Sequence, residues 1–78
     1  MDELERRILR LLAPSATLTL TDIANQLRLD STQEAKVATL RLAEKNLVWA
    51  FVAGRRCAYG LTELGLAEQE RYAGESPG

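Results

Sequence analysis

The sequence predicts a mainly helical domain with a small β-sheet (an α+β fold), in the order α-β-α-α-β-β-α. Three observations carry that prediction. Apolar residues recur at helical spacing up to Asn46, with breaks at Pro14 and at Leu29-Asp30. After Asn46 the apolar period changes to that of a strand. The strand-like region is split by Gly54, which can supply the positive φ of a hairpin tip.

The elements follow in order. Asp2 caps a first helix, with Glu5 as its capping-box partner, and Leu4, Ile8, Leu11 and Leu12 line the helix. Pro14 stops it near Ala13. Ala16–Leu20, with its β-branched threonines, reads as a short strand. Thr21 caps a short second helix with Asp22 in its first turn and Ile23, Ala24 and Leu27 inward. Leu29-Asp30 makes a tight connection. Ser31 and Glu34 then form a capping box for a third helix, which runs to about Asn46, a residue that accepts a left-handed C-cap. Leu47–Val52 and Cys57–Leu61 are the arms of a hairpin whose tip is Ala53–Arg56, and Trp49 and Tyr59 are expected to pack across it as a cross-strand pair or near neighbours. Thr62 caps a last helix, Glu63 to about Ala73, ended by Gly74. The domain is thus expected to span 1–74, with 75–78 a disordered tail.

Composition bounds what such a domain does. Its 78 residues suffice for one small domain. No apolar run approaches the roughly 20 residues needed to span a membrane, and the acidic N-terminus is unlike a signal peptide, so a cytoplasmic location is expected. There is no His, and Cys57 is the single cysteine, so a His- or Cys-based metal site and an internal disulfide are not expected. Without a phosphate loop, a cofactor motif or a carboxylate pair in a cleft, neither an enzyme nor a cofactor is expected. The formal net charge is −1, but the charge is unevenly placed. Residues 31–56 carry Lys36, Arg41, Lys45, Arg55 and Arg56 against Glu34 and Glu44, net +3, whereas residues 63–75 are net −3. The base excess lies where a recognition element would sit.

Two helices joined by a short turn form a helix-turn-helix pattern. Leu18-Thr19-Leu20-Thr21-Asp22-Ile23-Ala24 resembles the start of helix two in bacterial winged-helix regulators. Leu42-Ala43-Glu44-Lys45-Asn46-Leu47-Val48 resembles the end of their third helix, with Asn46 in place of the usual Gly. Gly54-Arg55-Arg56, followed by Tyr59-Gly60-Leu61-Thr62-Glu63-Leu64-Gly65, resembles the wing and exit of the MarR and ArsR groups. The resemblance covers about residues 4–66. It implies a winged helix-turn-helix domain, a DNA-binding transcriptional regulator, and a homodimer on a palindromic site. The 78 residues carry none of the long terminal helices through which MarR-type proteins dimerise. Small winged-helix proteins also serve as accessory modules, so a protein partner is the alternative to DNA.

If the resemblance carries over, helix three enters the major groove. Helical spacing places Ala35, Ala38, Thr39 and Leu42 inward and Gln33, Val37, Leu40 and Glu44 outward, flanked by Lys36 and Arg41. Gln33 can read adenine, Val37 a thymine methyl, Arg41 a guanine or a phosphate, and Lys36 a phosphate. The Val37–Leu40 pair equally suits a protein contact, or a helix rotated so that both join the core. Arg55 and Arg56 can enter a minor groove or reach phosphates, or simply keep a hairpin tip soluble. Thr21, Ser31 and Thr32 can receive phosphates at helix N-termini or serve only as caps. Leu9 and Leu66 fall outside the expected inner stripes and form a candidate dimer seam, although single exposed leucines are common. Cys57 reads as a small strand residue, with a redox-sensitive thiol beside the arginines as the other reading.

Overall fold

The computed structural model describes residues 2–14 and 16–75, of which 73–75 are described by backbone alone. The elements are α1 (Glu3–Leu11), β1 (Leu18–Thr19), α2 (Leu20–Leu27), α3 (Thr32–Glu44), β2 (Val48–Ala53), β3 (Arg56–Leu61) and α4 (Glu63–Glu75), in the expected order. The strands form one antiparallel sheet in the order β1-β3-β2.

Local chemistry sets most boundaries. Asp2 Oδ1 accepts the Glu5 amide at 2.9 Å and Glu5 Oε2 accepts the Asp2 amide at 3.0 Å, the expected capping box of α1. The helix stops at Leu11, short of Ala13. Leu12 is already extended at ψ 152°, and Ala13, held out of helical geometry by Pro14, bridges to Ala16. The strand expected over Ala16–Leu20 shrinks to Leu18–Thr19 because α2 begins earlier. Its cap is Thr19 rather than Thr21. Thr19 has an acid three residues on, and the pair closes a box: Thr19 Oγ1 accepts the Asp22 amide at 3.1 Å and Asp22 Oδ2 accepts the Thr19 amide at 3.2 Å. The corresponding partner of Thr21 would be Ala24, which has nothing to offer.

The turn into α3 is made at Arg28, left-handed at φ 56°, with the Leu29 amide returning to the Ala24 carbonyl at 2.9 Å. Ser31 occupies the N-cap of α3, but its side chain makes no capping bond. Its φ of −150° differs from −84° at Asp2 and −81° at Thr19, so the expected box with Glu34 does not close. At the other end Asn46 takes the expected left-handed conformation, φ 61°, and Leu47 returns its amide to Leu42 at 3.0 Å.

The core joins Ile8, Leu9, Leu12, Ile23, Ala35, Ala38, Leu42, Leu47, Val48 and Leu61. Leu9 is 0% exposed, which removes it from the expected dimer seam. Leu9 joins the core, and α4 packs against α1 alongside it. Gln69 Nε2 donates to the Leu9 and Leu12 carbonyls, each at 2.8 Å, and the Arg6 guanidinium lies 5.2 Å from the Tyr72 ring centroid. Leu66 packs half-buried against the same core. At the start of α4, Thr62 Oγ1 accepts the Gly65 amide at 2.9 Å and donates to the Asn46 carbonyl at 2.7 Å. The helix then passes through Gly74 to Glu75, since a glycine near a helix end weakens it without ending it. Glu75 is therefore helical, and the rest of the expected tail, 76–78, lies outside the described residues.

In the hairpin, Ala53 pairs with Arg56, leaving Gly54 (φ 62°) and Arg55 as the turn. Ala50 pairs with Tyr59 and Trp49 with Gly60. Trp49 and Tyr59 therefore lie on opposite faces of the sheet rather than packing together. Trp49 instead meets Phe51 edge-on, with ring centroids 6.2 Å apart, and covers Gly60.

Gly65 fixes how closely α4 follows the hairpin. A Cβ there would run into the Leu47 carbonyl oxygen and approach Leu61 Cδ1 to 2.8 Å. Gly65→Ala is expected to destabilise the domain by about 1–3 kcal/mol. In thermal melts this is a fall in Tm of about 4–8 °C per kcal/mol. An unchanged melt would show that α4 is not held at this contact.

Candidate nucleic-acid interface

Packing decides how α3 is turned. Ala35, Ala38, Thr39 and Leu42 are all buried, and the Thr39 hydroxyl donates to the Ala35 carbonyl at 2.6 Å, so no polar atom of this face is orphaned. The two alanines let α1 and α2 approach closely. The opposite face is consequently exposed, with Val37 at 40% and Leu40 at 48%. The rotated alternative, in which both join the core, is excluded.

The expected binding residues separate into two groups. Gln33, Val37 and Arg41 line an apolar groove of about 310 Å³ with Asp2, Leu4, Glu34 and Ala38, between α3 and the start of α1. Thr21, Arg55 and Arg56 line a second, more polar cleft of about 530 Å³ with Thr19, Leu20, Asp22 and Cys57, between the first turn of α2 and the hairpin tip. Ser31, Thr32 and Lys36 are exposed but line neither cavity.

The cations are not equivalent. Among the described residues, Lys36, Arg55 and Arg56 form no ion pair. Arg41 Nη1 lies 3.4 Å from Asp2 Oδ2, with both side chains more than half exposed. Lys45 Nζ lies 3.3 Å from Glu5 Oε2, where the carboxylate is 2% exposed and the ammonium 46%. The capping box of α1 thus holds two cations at the far end of α3. Sequence reasoning missed these pairs, although a signal existed: acids three apart at the start of α1 and bases four apart at the end of α3 are spaced to face one way.

Two other features escaped the sequence reading. Trp49 and Phe51, 38% and 53% exposed, form an aromatic pair on the outer face of the hairpin. On the inner face, the Tyr59 phenol is pushed up from 10.0 to about 12, first by its hydrogen bond to Cys57, then by burial and by the Cys57 charge.

Among the described residues, no group of three or more His, Cys, Asp or Glu side chains is placed to hold a metal ion. No helix among them is long and apolar enough to cross a membrane.

No family model matches the chain, and no curated protein matches it significantly. Solved structures do. The S. aureus MepR–DNA complex superposes with a TM-score of 0.86 at 24% identity, over 95% of this chain and 63% of that one. The fold is a MarR-type winged helix. ZitR from Lactococcus lactis matches at 0.82 and 25% identity, over 94% of this chain and 51% of its own. The adhesin competence repressor AdcR from Streptococcus pyogenes matches at 0.83 and 23% identity, over 96% and 57%. The chain therefore spans 51–63% of the length of these three proteins. In the winged helix, α2 and α3 are the helix-turn-helix, and the β2–β3 hairpin is the wing, tipped by Arg55.

The Tyr59 shift has a measurable sign. A phenol held neutral to about pH 12 in the fold, against about 10 for an ordinary tyrosine, adds stability that is complete below pH 10 and is lost as pH rises through 12. The phenolate absorbance missing from Tyr59→Phe is expected to develop near pH 12, and to move lower in Cys57→Ala. A midpoint that ignores Cys57 would remove the thiol as the leading cause.

Proposed function

We propose that this chain is the DNA-binding module of a cytoplasmic transcriptional regulator and carries no catalytic activity. The observation that carries this reading is the placement of cations that form no ion pair among the described residues on an outward-turned helix-turn-helix and wing. Lys36 is exposed on α3, and Arg55 and Arg56 on the wing, while the inner face of α3 is buried in the core. The MepR complex supports the reading, because that protein was captured on DNA with the same fold.

In this reading α3 enters the major groove. Gln33 meets an adenine edge, Val37 a thymine methyl and Lys36 a phosphate. Arg55 and Arg56 follow the backbone or the adjacent minor groove. Thr21, Ser31 and Thr32 face phosphates from the first turns of their helices. A homodimer on a palindromic site is part of the proposal. With Leu9 enclosed, its seam must be built from other residues.

A second reading rests on Val37 and Leu40, which give α3 an apolar exposed face suited to a protein partner. The two readings predict different losses. Replacing Arg55 and Arg56 with Ala is expected to weaken duplex binding without lowering the melt. It should also flatten the log K against log salt slope by about 1.8, the release from two phosphates at about 0.9 each. Val37→Ser with Leu40→Ser should leave that salt slope in place. Absence of duplex binding at micromolar protein and low salt, with a folded sample, would overturn the DNA reading in favour of the protein partner.

A further inference from the structure

We propose that the N-cap of α1 is an internal competitor for DNA: Asp2 engages one Nη of Arg41 and opposes the approach of a phosphate to it. This rests on the DNA-binding reading above and adds a regulated step to it.

The two acids of the capping box do different work. Glu5 is enclosed, and its Oε2 accepts both the Asp2 amide and the Lys45 ammonium. Stripping Lys45 from it would leave a buried carboxylate with one fewer donor, so this pair is the fixed one. Asp2 and Arg41 are 54% and 59% exposed, and their single contact is 3.4 Å long. Such a pair is weak and exchanges readily. The two Asp2 oxygens divide their roles, since Oδ1 caps the helix through the Glu5 amide while Oδ2 faces Arg41. Arg41 can therefore leave Asp2 without undoing the cap.

Arg41 sits on the flank of α3 beside Gln33 and Val37, in the groove that Asp2 also lines. A phosphate approaching that flank meets a guanidinium whose charge is partly offset and a carboxylate that repels it. Of the three cations on or just after α3, two are held by α1 in this way, leaving Lys36 alone unpaired among the described residues. Any event that draws Asp2 away, such as a ligand at this groove or movement of the start of α1, would release a cation to DNA.

Asp2→Asn separates the two roles, because Asn caps a helix as well as Asp but carries no charge. Titration of wild type and variant with one mixed-sequence duplex at several salt concentrations provides the test. The variant is expected to bind about two- to fivefold tighter, the size of an exposed ion pair. Its salt slope should be steeper by up to about 0.9. The gain should vanish when Arg41→Ala is added. Glu3→Gln, an exposed acid of the same turn that holds no cation among the described residues, should give a smaller gain. Equal binding by wild type and Asp2→Asn overturns the inference alone. A gain that survives Arg41→Ala, or is matched by Glu3→Gln, overturns it as a general charge effect. Failure of both folded proteins to bind duplex overturns the DNA reading and this inference with it.

Discussion

The packing of Ala35, Ala38, Thr39 and Leu42 against α1 and α2 is the constraint on which the other features depend. Small side chains on one stripe of α3 bring three helices close, and the Thr39 hydroxyl is satisfied within its own helix. That stripe fixes the rotation of α3 and thereby decides what it shows to solvent. It also brings the far end of α3 within reach of the α1 cap, which is why Arg41 and Lys45 find carboxylates there. The end of α3 in turn aims β2, because the left-handed Asn46 and the buried Leu47 turn the chain directly into the wing.

The sequence carried the local decisions well. The α1 capping box, the left-handed Asn46, the inner face of α3 and the hairpin turn at Gly54 each depend on residues within about two helical turns of one another. Where two local solutions compete, the outcome is harder to read. Thr19 and Thr21 flank Leu20, and only the acid at Asp22 selects the former. Arg28 takes a left-handed conformation that favours Gly or Asn, so residue type gave no warning.

The features that escaped are long-range. Leu9 lies outside the stripe expected for α1, yet it is enclosed in the core, and Gln69 of α4 reaches back to its carbonyl. The strand alternation around Trp49 was visible, yet its partner depends on register, and one step in register changes which face a side chain joins. The binding residues were identified as a set, but their division between two cavities, and the engagement of Arg41 by Asp2, follow only from tertiary contacts. The net +3 charge of residues 31–56 therefore overstates the free positive charge on that surface.

Trp49 is the only tryptophan in the chain, and it lies on the wing, partly exposed, edge-on to Phe51 and over Gly60. The domain consequently carries a built-in optical probe at one defined place. Its indole emission senses the outer face of the hairpin with little contribution from the helical core. Changes that reach the wing alter the colour and intensity of that emission, and changes confined to α1 or α4 leave it largely untouched. The intrinsic fluorescence of this protein is thus a local gauge of its hairpin, available without any label.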